Sequence, residues 1–118
     1  MTTLVQDLKT LLATLAPAGG VWYQINTTEP PVYPYIVFQR VTSTPNVSFD
    51  GPSDLQNTRF QIDIFSQSVS ESVAIETALE AAMFAWSVSN VPLSSQDLYE
   101  SEVRARRVMK DYSVWATN

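Results

Sequence analysis

If this chain were an enzyme, a carboxylate or a tyrosine would have to do all its proton transfer, because its sequence contains no Cys and no His. That removes a Cys nucleophile, a Ser-His-Asp triad, any imidazole base, thiolate zinc sites and disulfides. A metal would have to be held by oxygen ligands alone. Three groupings remain. Glu76 and Glu80 are four apart in a helical pattern, so they line one face. A carboxylate pair works as acid and base only where the surroundings push the two pKa values apart, and an exposed helix face does not. Asp63 lies within a β pattern, where such a residue is ordinarily solvated or paired with an Arg. Arg104, Arg106 and Arg107 form the basic cluster. With Glu100, Glu102 and Asp111 around it, cross-strand or intersubunit ion pairing is its expected use, ahead of phosphate contacts. No catalytic, cofactor-binding or metal residue is assigned, and the chain is read as a non-enzyme.

These residues must be held by one domain, since 118 residues with 45% hydrophobic content make one core. Seven basic against twelve acidic residues give a net charge of −5, a poor basis for gripping nucleic acid. No stretch approaches the ~18 consecutive apolar residues of a membrane span. Met1-Thr2-Thr3-Leu4 lacks the basic start of a signal peptide, so folding in a cytoplasm is expected.

Leu4, Leu8, Leu11, Leu12 and Leu15 predict an amphipathic helix over 3–16, capped by Thr2 or Thr3 and stopped by Pro17 and Gly19-Gly20. Strands are expected at 21–25 and 35–41, separated by the prolines of 29–34. The clean alternation of Phe60, Ile62 and Ile64 predicts a half-buried strand over 58–66, antiparallel to 35–41. Residues 42–57 are small, polar and turn-forming, which predicts a long hairpin loop. Ser68 and Glu71 make a capping box for a helix reaching Trp86, with Ala74, Ile75, Ala78, Leu79, Ala82, Met83 and Trp86 as its inner stripe. Residues 90–93 read as a linker before strands at 96–103 and 105–116. In the last of these the core face is ambiguous and a bulge would explain it.

The expected fold is therefore α+β: two helices on a mostly antiparallel sheet of four or five strands, in the order α-β-β-β-α-β-β. Such a sheet keeps open edges, and an open edge is a place for another copy to pair. Thirteen aromatic residues exceed what so small a core must hold, and aromatics favour interfaces.

Three segments carry a resemblance. Tyr33-Pro34-Tyr35-Ile36-Val37-Phe38-Gln39-Arg40-Val41 is followed by Asp50-Gly51-Pro52-Ser53-Asp54-Leu55. Then comes Arg59-Phe60-Gln61-Ile62-Asp63-Ile64-Phe65-Ser66, leading into the Ser-capped helix. With the closing Val114-Trp115 pair, this series resembles the tail completion, or tail terminator, proteins of long-tailed bacteriophages across nearly the whole chain. The resemblance implies a structural virion protein without cofactor, made in the host cytoplasm and placed where tail meets head. It implies a ring, expected to be a hexamer, that caps the tail tube, ends polymerisation of the tube protein and meets the head–tail connector. DNA would pass through without specific binding. Partner contacts are expected from the 42–57 loop, at Val47, Phe49, Asp50, Gly51, Pro52, Ser53, Asp54 and Leu55, and from Arg104, Arg106 and Arg107. Two other readings stay open: another neck component, either a stopper or an adaptor, and a small ligand-binding or regulatory module.

Overall fold

The computed structural model describes residues 3–28, 30–48, 51–101 and 104–117, with the side chains of 44–55 and 117 excepted. Helix α1 spans Leu4–Ala13. Thr3 caps it reciprocally: the Gln6 backbone N–H donates to Thr3 Oγ1, and the Thr3 N–H donates to Gln6 Oε1. Its last turn tightens, with Leu15 and Ala16 donating back three residues, so the helix ends before the expected residue 16. Leu4, Leu8 and Leu12 are its buried face.

Strand β1, Val21–Tyr23, lies parallel to β2, Tyr35–Ser48, with Val21 opposite Ile36 and Tyr23 opposite Phe38. β1 is shorter than expected because Gln24 turns into the left-handed region, with φ +69. The connection leads back past Gly19, where a side chain would overlap the Val32 carbonyl. Glycine there permits the close approach.

The largest departure from expectation is at 42–57. Over 42–48 and 51–57 the chain is a ladder rather than a loop. β2 runs out to Ser48 and β3, Gly51–Ser66, runs back, with Ser43 opposite Thr58, Val47 opposite Pro52 and Ser48 opposite Gly51. Backbone pairing suits small polar residues, and Ser43 Oγ adds a cross-strand bond to Gln56 Oε1. Two register shifts, between Arg40 and Thr42 and between Pro45 and Val47, accommodate the irregular sequence.

Helix α2, Val69–Ala85, is capped by the Ser68 hydroxyl, which accepts from the Glu71 N–H. Its buried residues are Ser72, Leu79 and Met83, with Ile75 and Trp86 packed partly against the core. Ala74 and Ala78, expected inside, face outward. Ser72 is accommodated because its hydroxyl donates back to Ser68 and Val69 carbonyls. The outer face is also apolar: Val69 and Val73 are exposed, and Phe84 is 93% exposed.

Strand β4, Ser89–Glu100, pairs with β5, Ala105–Thr117. The expected linker at 90–93 is thus the start of β4. Pro92 is tolerated there because β4 is an edge strand, and the register shifts between Pro92 and Ser94. β5 itself pairs with β3 without a shift. Its buried face is Val108, Lys110, Tyr112 and Val114. Lys110 inside is what blurred the alternation.

The sheet order is β1-β2-β3-β5-β4, mixed only through the parallel β1–β2 pair. Both helices pack on one face, where Phe38, Phe60, Ile62 and Tyr112 join Leu8, Leu12, Leu79 and Met83 in one core. The molecule measures 52 × 25 × 25 Å, elongated along the strands. Among the described residues no helix is long and apolar enough to cross a membrane.

Candidate functional site

The residues singled out in the sequence fall into two groups that the fold keeps apart. Val47, Gly51, Pro52, Ser53, Asp54 and Leu55 lie in the backbone of the β2–β3 hairpin arm, while Phe49 and Asp50 lie outside the described residues. The arm outruns β5, whose pairing with β3 begins at Leu55 opposite Thr117 and ends at Ser66 opposite Arg106. Eleven rungs separate those pairs, about 37 Å at the usual strand rise. Arg104, Arg106 and Arg107 therefore sit at the other end of the sheet. The arm is one surface and the arginines another.

The arginines do different things. Arg104, just before β5, has φ +52 and is exposed. Arg106 stands over the Tyr99 ring, 5.9 Å from its centroid. Arg107 turns to the face of the sheet not covered by helices. There its Nη2 donates to Asp63 Oδ2 at 2.9 Å and its Nη1 to Glu100 Oε1 at 3.4 Å. Its guanidinium lies 5.4 Å from the Phe65 ring centre, and Phe65 stacks on Tyr35 at 4.8 Å with 14° between planes. Asp63, only 5% exposed, also accepts from Gln61 Nε2. Burial tends to lower the Arg107 pKa, but the bonds and charges of Asp63 and Glu100 outweigh it, so the guanidinium is held charged. Asp111, expected beside this cluster, pairs with Arg59 at 2.7 Å instead.

A second polar cluster was half visible. Glu76 and Glu80 do share a helix face, and they converge on Lys110, at 3.4 and 2.9 Å. The missing signal was Lys110, which lies thirty residues away from Glu80 on β5. Burial works against the Lys110 charge. The hydrogen bond to Glu80 and the fields of Tyr112, Glu76 and Glu80 override it and raise the pKa. For Tyr112, burial raises the pKa, Lys110 lowers it, and the two glutamates raise it further. Beside this cluster a half-open cavity of about 630 Å³ lies between the end of α2 and the start of β4, walled by Met83, Phe84, Trp86, Val88 and Pro92. Asn90 closes it underneath, donating to the Met83 and Val88 carbonyls. Lys110 on its wall is held in ion pairs, and Glu80, Asn90 and Tyr112 line it beside the apolar side chains, so its surface is mixed. Among the described residues no three His, Cys, Asp or Glu are grouped to hold a metal.

Sequence patterning also missed what the edges look like. β4 is exposed along nearly its whole length, and Val91, Leu93, Leu98 and Tyr99 stand open on it. At the other side of the sheet β1 pairs with β2 only at Ile36, Val37 and Phe38, and beyond them no strand among the described residues pairs with the outer side of 39–48, where the Arg40 N–H makes a long bond to the Tyr23 hydroxyl at 3.4 Å.

Arg59, Arg107 and Lys110 in internal ion pairs, one buried core and open sheet edges describe an α+β module. Residues 2–117 match the family described as tail completion protein gp17, and the chain belongs to that family. It is thereby a structural component of the bacteriophage virion tail. A chain in the solved virion of a native gene transfer agent particle has a similar fold: TM-score 0.68 at 15% identity, covering 97% of this chain and 91% of that one. No curated protein matches it.

Proposed function

We propose that this chain caps the tail tube as a closed ring, ends its polymerisation and presents the surface to which the head's connector joins. The observation that carries the reading is the sheet with two long open edges in a tail completion protein. A ring requires two unlike surfaces per subunit that meet head to tail and close. Two different edges on one sheet meet that requirement. The hairpin arm, projecting along the strands, is suited to reach a neighbouring layer, either tube or connector. A six-membered ring would carry about −30, so electrostatics would let DNA pass without holding it.

Deletion of the gene tests this by electron microscopy of the lysate. Overlong or ragged tails on otherwise filled heads are the expected result. Normal tails beside leaking heads would place the chain elsewhere in the neck, as a stopper or adaptor. A finer test removes the arm tip, Asp50–Leu55, which lies beyond the buried Phe38 and Phe60. The shortened protein should fold and fail to join tails to heads, and normal particle maturation would reject the role of the arm.

A further inference from the structure

Resting on the ring reading, we infer that neighbouring copies join by strand addition: the β4 edge of one copy pairs with the uncovered stretch of β2, Gln39–Ser48, of the next.

Strand direction permits it. β3 and β4 run opposite to β2 and β5. In a ring whose axis lies along the strands every copy has the same orientation, so β4 meets the next β2 antiparallel. That is the more stable pairing and extends the existing ladder. The two edges are also alike in length, twelve residues in β4 and ten in 39–48.

From Ser94 onward the β4 edge lacks the usual defences. Natural edges are blunted by lysines, prolines or bulges. β4 has no Lys or Arg, and its proline and register shift sit in its first half. From Ser94 to Glu100 it runs regularly, and Leu98 and Tyr99 are exposed within that stretch. Left open, it is an aggregation surface, and a partner strand removes the hazard.

Distribution of exposed groups names the partner as another copy. Large exposed apolar side chains gather at the two ends of the sheet order. Ile25, Val32 and Val41 are at the β1–β2 end, and Val69, Val73, Phe84 and the β4 residues are at the other, with Trp115 between. Charge is split the same way. α2 and β4 hold Glu71, Glu76, Glu80, Asp97 and Glu100 and no base, whereas α1, β1 and β2 hold Lys9 and Arg40 against Asp7. Arg40 and Asp97 are exposed and form no ion pair among the described residues. Arg40 lies opposite Phe60, and Asp97 opposite Val108, so both point to the helix-covered face. Setting them opposite each other across the joint keeps both faces of the sheet continuous.

The chain has no Cys, so the introduced thiols are the only ones it carries. Arg40→Cys and Asp97→Cys are placed in one chain, and purified virions are oxidised and run on a non-reducing gel. The expected result is a ladder of covalent oligomers extending past the dimer, with neither single variant forming a dimer. A dimer from Asp97→Cys alone would show β4 meeting β4 and overturn the inference. So would intact particles that contain the double variant and yield only monomer. If the thiol pair alone blocks assembly, the exchange Arg40→Asp with Asp97→Arg decides. Each single reversal should lower particle yield about tenfold, and the exchange should restore it. An exchange no better than its parts overturns the inference. Failure of the ring reading looks different: the deletion strain would then make tails of normal length whatever the gel shows.

Discussion

Truncating Arg107 separates a structural cation from one reserved for a partner. The side chain holds Asp63 at 2.9 Å on the face of the sheet without helices, and Asp63 is almost wholly buried. Removing one member of a buried ion pair costs about 3–5 kcal/mol, because the other charge is left without its counterion. Two features reduce this. Gln61 Nε2 still donates to both Asp63 oxygens, at 3.2 and 3.1 Å, and the Arg107 side chain is 27% exposed. The contact with Glu100, 43% exposed, adds under ~0.5 kcal/mol. Loss of the Phe65 contact adds about 0.5–1 kcal/mol. Arg107→Ala should therefore destabilise by about 3 kcal/mol. At about 4 °C per kcal/mol for a domain of this size, the melting temperature falls by about 12 °C. Differential scanning calorimetry of the purified chain measures it. Adding Asp63→Asn should recover about 1–2 kcal/mol, since no buried charge then remains. An Arg107→Ala protein melting with the parent would refute the reasoning, and would mean that Arg107 is held out for another molecule.

Three further outcomes follow from the geometry. Phe60 is fully buried on the helix-covered face, so Phe60→Asp should abolish cooperative unfolding by placing a charge where nothing can pair with it; a soluble variant with a sharp transition would reject that face assignment. Gly19→Ala should cost at least ~2 kcal/mol, since the new methyl must displace the Val32 carbonyl, and urea denaturation would show it as a lower midpoint with an unchanged slope. Stability should be lost on the alkaline side. Lys110 has a raised pKa, so its contribution is complete below the unfolded value of 10.5 and disappears as pH climbs through the folded one. Tyr112 and Tyr35, raised above 10.0, act in the same direction because the fold favours their neutral forms. Urea titrations from pH 8 to 11 should show a decline beginning near 10, reduced in Tyr112→Phe. An alkaline limb unaltered by that substitution would refute the assignment.

What could be read from the sequence tracks how local each cause is. Both helices are announced by their own caps, Thr3 with Gln6 and Ser68 with Glu71, and by stripes of spaced leucines or large aliphatics. The 58–66 strand is legible because every second residue is large and apolar. The hairpin arm is not, since its order comes from backbone ladders between residues whose side chains suit a turn equally well. A strand at 96–103 was expected, but the first part of β4 was hidden by Pro92, which an edge strand tolerates. In α2 the stripe was misplaced by two alanines because the helix is apolar on both faces, and a periodicity argument has no contrast to read there. The ion pairs show the same limit. Arg107 and Asp63 were each expected to pair, but they meet only because β3 and β5 align residues forty-four apart. Lys110 was not expected inside at all, and without it the Glu76–Glu80 pair had no visible purpose.

The most direct measurement is a cryo-electron-microscopy reconstruction of the head–tail junction in virions of the phage that carries this gene. The account predicts a closed ring of this fold on the head-proximal end of the tail tube, with each sheet continued into the next. A junction built without this polypeptide, or one that holds it as isolated copies with both sheet edges bare, would contradict it.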